Sequence, residues 1–73
     1  MSYAKAIKAA RTEAGLSQGK LAALAGCNHT TISHIESGRR KPSLDMVTAI
    51  AWACGVPASS IHVAADEGRR VRK

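Results

Sequence analysis

Three observations predict an all-α fold of five short helices. Apolar residues recur at three- and four-residue spacings, and no run of four or more residues alternates as a strand would. Gly15, Gly26, Gly38 and Gly55 punctuate the chain at intervals of a few helical turns. The 73 residues include 14 alanines and no phenylalanine, which suits thin helices packed closely together.

The first helix is expected over residues 3–14, where Tyr3, Ile7, Ala10, Arg11 and Ala14 recur at helical spacing before Gly15. Ser17 is a good N-cap for a second helix over 18–25, with Leu21, Leu24 and Ala25 on one face. After Gly26, Asn28 caps a third helix over 29–36 that buries Ile32 and Ile35. The loop Arg39-Arg40-Lys41-Pro42 leads to Ser43, the N-cap of a fourth helix ending at Cys54. Its apolar stripe is Leu44, Val47, Ile50, Ala51 and Cys54. Pro57 opens a short fifth helix in this reading. One domain over residues 1–65 results, with a basic, frayed tail over 66–73.

Size and charge narrow the function. A chain this short buries roughly 60% of its unfolded surface, leaving little room for a substrate pocket. Ser17, Ser33 and Cys27 lack a spaced base and orienting group, so none is expected to act as a nucleophile. The sequence therefore argues against an enzyme. Eleven Lys and Arg against five Asp and Glu give a net charge of +6, which favours nucleic acid or an anionic surface as partner.

No cofactor or metal is expected either. Cys27, His29, His34, Cys54 and His62 are all capable ligands, but they lack the paired spacing of a zinc finger. Cys27 and Cys54 are expected as buried thiols on apolar stripes, unpaired and unmetallated. Residues 46–65 carry no formal charge, yet Thr48, Gly55, Pro57, Ser59, Ser60 and His62 make them too polar and broken to span a membrane. Lys5, Lys8 and Arg11 interrupt the N-terminal apolar stretch, so no leader is expected.

The informative stretch is Gln18 to Ser37, two short helices joined by a tight turn containing Gly26. Ala22 is small enough for the second helix to cross closely over the first. Leu21, Cys27, Ile32 and Ile35 pin the pair to the bundle, which leaves His29, Thr30, Ser33 and His34 facing outward. These polar side chains hydrogen-bond to base edges readily, and none is negative.

At this point the chain resembles the phage-repressor and Cro type of helix-turn-helix protein, the XRE group, across residues 5–63. The matching residues are Arg11, Gly15-Leu16-Ser17-Gln18, Leu21-Ala22, Gly26, Thr31-Ile32-Ser33, Ile35-Glu36, Gly38, Lys41-Pro42-Ser43, Leu44 and Gly55-Val56. The resemblance implies a five-helix, lambda-repressor-like domain that places its third helix in the major groove of double-stranded DNA. It implies base contacts from His29, Thr30, Ser33 and His34. Phosphate contacts would come from Gln18, Lys20, Asn28, Thr31, Arg39, Arg40 and Lys41. Gln18 would also brace the third helix, Asn28 and Thr31 would cap it, and Arg11 would pair with Glu36. Gly19-Lys20 departs from the acidic or polar residues usual after Gln18, and it removes the capping box that Ser17 would otherwise head.

One such module reads few base pairs, so a homodimer on a pseudo-palindromic operator is expected. Trp52 lies well away from the fourth helix's apolar stripe. With Ala49, Ile61 and Val63 it forms the candidate dimer patch; the alternative has the indole folding over Tyr3 or the fifth helix. The function expected is a transcriptional regulator of repressor type in the bacterial cytoplasm, associated with the nucleoid. The alternative is an antitoxin or accessory subunit whose main partner is another protein, such as a toxin.

Overall fold

In the computed structural model, which describes residues 3–69, the chain forms α1 (Tyr3–Glu13), α2 (Gln18–Ala25), α3 (His29–Glu36), α4 (Leu44–Cys54) and α5 (Ala58–Arg69). No strand occurs among the described residues. Local chemistry sets the boundaries. Ser17 has extended backbone and its Oγ accepts from the Lys20 N–H at 3.0 Å; Ser43 Oγ accepts from the Met46 N–H at 3.1 Å. Each such cap is worth ~1 kcal/mol, because it satisfies an amide left without a partner in the first turn. Gly26 turns α2 into α3 at φ 79°, a left-handed conformation that costs a side-chain-bearing residue energy.

All five helices contribute to one core: Ala6 and Ile7, Leu21 and Ala22, Ile32 and Ile35, Val47, Ile50 and Ala51, Ile61 and Ala65. Burying each large aliphatic side chain contributes about 1.5–3 kcal/mol. The alanines let the axes approach, so eight-residue helices suffice. At the open end of the bundle the Tyr3 and His62 rings meet edge to face, with centroids 5.5 Å apart, and the Tyr3 hydroxyl hydrogen-bonds His62 Nδ1.

Several expectations need correction. Leu44 is 72% exposed. Its angle on α4 suits the core, but it occupies the first helical position, and its Cα–Cβ bond tilts toward the helix start, beyond the last core layer. Leu24 is exposed as well, because the buried face of α2 is centred between Leu21 and Ala22 and Leu24 lies about 110° from that centre. Ile61 is only 2% exposed, since the apolar side of α5 packs inward with Ala65; it is a core residue and unavailable to a second subunit. Residues 66–69, the start of the expected frayed tail, continue the helix. Ala65 is itself buried, so the packed part of α5 reaches that point and the backbone continues helical to Arg69.

Pro57 precedes α5 instead of opening it, its carbonyl accepting from the Ser60 N–H at 3.0 Å. Residues 70–73 of the expected tail lie outside the described residues. Among the described residues no single helix is long and apolar enough to cross a membrane. Helices α4 and α5 reach that length only together, across a bend of 114°.

Candidate nucleic-acid interface

The outward face of α3 follows from what its inward face buries. Ile32 and Ile35 are fully in the core, and at about 100° per residue the directions of His29, Thr30, Ser33 and His34 fan out on the opposite side. His29 and Thr30 are exposed, Ser33 and His34 half-exposed. The His29 ring lies beside α2: a Cβ built on Gly19 would stand 3.9 Å from His29 Cδ2.

Asn28 sits at the N-cap with extended backbone, but its side chain makes no capping bond. The helix start is held by its carbonyl instead, which accepts from the Thr31 N–H at 3.0 Å and the Ile32 N–H at 3.3 Å. The expected side-chain cap is therefore absent. Asn28 is exposed, and its amide donors are not spent on the helix start.

Behind this surface lies a polar cluster. Arg11 Nε donates to Glu36 Oε2 at 2.7 Å and Nη2 to Oε1 at 3.1 Å, while Nη1 donates to the Leu16 carbonyl at 2.8 Å. Gln18 Nε2 donates to the same Glu36 Oε1 at 2.9 Å, which ties the first turn of α2 to the last residue of α3. The Glu36 side chain is 4% exposed, so the one carboxylate of the helix pair is neutralised by Arg11 and hidden from the surface. The hydrogen bond to Glu36 also raises the Arg11 pKa above its ordinary value, more than burial lowers it. Gln18 keeps one amide hydrogen for a partner outside the protein.

Lys20, Arg39, Arg40 and Lys41 are all exposed. Among the described residues the Arg11–Glu36 pair is the only salt bridge, and none of these four cations takes part in it. Lys20 lies in the first turn of α2, which Gln18 ties to Glu36, and Arg39, Arg40 and Lys41 follow α3 directly. The geometry suits an anionic backbone running past the helix ends, with a polar, acid-free face between.

Sequence reasoning missed Ser37, whose hydroxyl donates to the His34 carbonyl at 3.1 Å. A hydroxyl residue just before a helix-ending glycine was the available signal. Cys27 and Cys54 are half-buried and free, and desolvation pushes both thiols above their ordinary pKa. Among the described residues no three His, Cys, Asp or Glu side chains gather where a metal ion could be held. Trp52 is 72% exposed and Val63 is exposed, while Ala49 is half-buried; Tyr3 packs on His62 rather than on the indole.

The chain is similar to the restriction-modification controller protein C.AhdI of Aeromonas hydrophila, at 29% identity and a TM-score of 0.78, over 81% of this chain and 86% of that one. It is similar to a hypothetical transcription factor of Neisseria at 30% identity and a TM-score of 0.76, over 81% and 68% of the two chains. The clp gene regulator ClgR of C. glutamicum shares the fold at 18% identity and a TM-score of 0.88, over 96% and 91%. No curated protein matches in sequence. The helix-turn-helix family matches residues 7–61, most of the chain and the whole of the surface just described. The chain thus belongs to the XRE-type helix-turn-helix family, whose members bind DNA and regulate transcription.

Proposed function

We propose that this chain is a sequence-specific regulator of repressor type that reads the major groove with α3 and docks as a symmetric dimer. One observation carries the reading: an exposed, acid-free face on α3 with exposed cations in the first turn of α2 and in the loop directly after α3. In this reading His29, Thr30, Ser33 and His34 contact base edges. Gln18, Lys20, Asn28, Thr31, Arg39, Arg40 and Lys41 hold phosphates and set the register. Two copies place their α3 helices in successive major grooves ~34 Å apart, so the operator is a pseudo-palindrome. Trp52, Ala49 and Val63 are the candidate contacts between copies. Regulation then follows from abundance and from competition with polymerase in the bacterial cytoplasm. The similarity to a restriction-modification controller supports the regulatory part of this reading.

Selection of bound sequences from a random duplex pool, at stated salt, tests it. The expected outcome is one enriched pseudo-palindrome with a steep fall of affinity with salt, about −0.9 in log K per log[salt] for each phosphate neutralised. His34→Ala or Thr30→Ala should relax preference at particular bases, while Arg40→Ala should weaken all duplexes alike. Equal retention of every duplex would refute the reading. The exposed indole favours a second one, in which Trp52 meets a different protein such as a toxin; sedimentation of the pure chain as a monomer, with a partner co-purifying, would support it.

A further inference from the structure

The carbonyl of His34 accepts three hydrogen bonds: from the Arg39 N–H at 2.9 Å, the Arg40 N–H at 3.1 Å and the Ser37 hydroxyl at 3.1 Å. A carbonyl oxygen has two lone pairs, so this acceptor is crowded. The other helix ends show why that is unusual. After each helix-ending glycine, the next residue donates back to the carbonyl five positions earlier: Leu16 to Arg11, Cys27 to Ala22, Arg39 to His34, Val56 to Ala51. In such closures the residue after the glycine is commonly apolar and packs back on its helix. Leu16, Cys27 and Val56 are partly buried against the core, as that pattern requires.

At the end of α3 the same position is Arg39, which is exposed. The apolar anchor is missing where the chain turns toward its cluster of cations. Two extra bonds on the His34 carbonyl stand in its place, from the Arg40 N–H and from Ser37. The residues before the other three glycines are Ala14, Ala25 and Cys54, none of which has a hydroxyl to give. Gly38 completes the turn at φ 85°.

We propose that Ser37 and Gly38 are positioning residues for DNA binding, fixing the backbones of Arg39 and Arg40 on the His34 carbonyl and so holding both guanidiniums in register with the outward face of α3. The residue whose imidazole is offered to a base edge thus anchors, through its own carbonyl, the cations offered to the phosphates. A backbone fixed in advance leaves only side-chain rotamers to be ordered when a phosphate arrives. The inference rests on the reading of Arg39 and Arg40 as phosphate contacts.

The test is the salt dependence of binding to the selected duplex by the full chain. Arg39→Ala and Arg40→Ala should each flatten the slope by about 0.9. Gly38→Val, which resists positive φ, should flatten it by about 1–2. It should also speed amide exchange at Arg39 and Arg40, with the preferred bases unchanged. Gly38→Asn, which tolerates that conformation, should keep the wild-type slope. A Gly38→Val protein that melts earlier but keeps the wild-type slope overturns the proposal, because the glycine would then serve folding alone. Should Gly38→Val not fold, Ser37→Ala decides: a flatter slope supports the proposal and a wild-type slope overturns it. A slope indifferent to both arginine substitutions overturns the phosphate reading itself, and this inference with it.

Discussion

Arg11 and Glu36 are joined by two hydrogen bonds across the bundle, at 2.7 and 3.1 Å, so that α1 grips the last residue of α3. Both side chains are largely buried, at 14% and 4% exposure. Arg11→Ala would leave the Glu36 carboxylate desolvated with only Gln18 to hold it. The expected loss of stability is ~3–5 kcal/mol, measured as a lower urea midpoint. DNA affinity of the folded fraction should change far less, since Arg11 lies behind the proposed binding face. A loss below about 1 kcal/mol would mean that water reaches Glu36.

Gly19 lies inside α2 without a positive φ, so nothing in the backbone requires a glycine there. The one atom within 4 Å of an added Cβ is His29 Cδ2 at 3.9 Å, an ordinary contact. Gly19→Ala should therefore stabilise the protein by ~0.5–1 kcal/mol, a rise of a few degrees in Tm. Duplex preference should stay the same. A lower Tm would show that His29 cannot tolerate the added methyl.

The cysteines give the protein an alkaline limit. Burial is the main cause of the raised pKa at both, opposed by Arg40 near Cys27 and by Arg11 near Cys54. The unfolded chain releases these protons at the ordinary thiol value while the folded chain still holds them. The stabilisation is thus complete below that value and is lost as pH rises through the folded one. Urea midpoints should fall as pH rises past the ordinary thiol value in the wild type, and fall less in a Cys27→Ala/Cys54→Ala variant. An equal fall in both proteins would refute the assignment.

Trp52→Ala removes a side chain that is 72% exposed, so the folded subunit should lose no more than ~0.5 kcal/mol and keep its helical circular dichroism. Sedimentation should shift from dimer to monomer, and affinity for the pseudo-palindrome should fall with it. A fully dimeric variant would place the contact between subunits elsewhere.

The helix pair at the centre of the candidate interface was legible because its signals are local. Ser17, Gly26 and Ser43 act on amides and carbonyls within a few residues, and the periods of Leu21, Ile32, Ile35, Val47 and Ile50 assign the buried faces. The outward face of α3 then follows by subtraction. Where residues three or four apart decide the outcome, the spans 18–25, 29–36 and 44–54 match the helices observed.

What the pattern of residues could not decide was how far along each helix the core extends. Leu44 and Ile61 are both aliphatic and both at helical spacing, yet one is 72% exposed and the other 2%. Their fates depend on which neighbouring helix covers that turn: α1 and α4 pack against α5, whereas Leu44 at the first position of α4 is left uncovered. The same holds for the shared carboxylate of Glu36. Gln18 lies eighteen positions from Glu36 and Arg11 lies twenty-five, so only the docking of α1, α2 and α3 brings them to one oxygen. Periodicity along a chain encodes direction around each helix axis; depth along that axis, and the sharing of one acceptor among distant donors, are set when the helices pack.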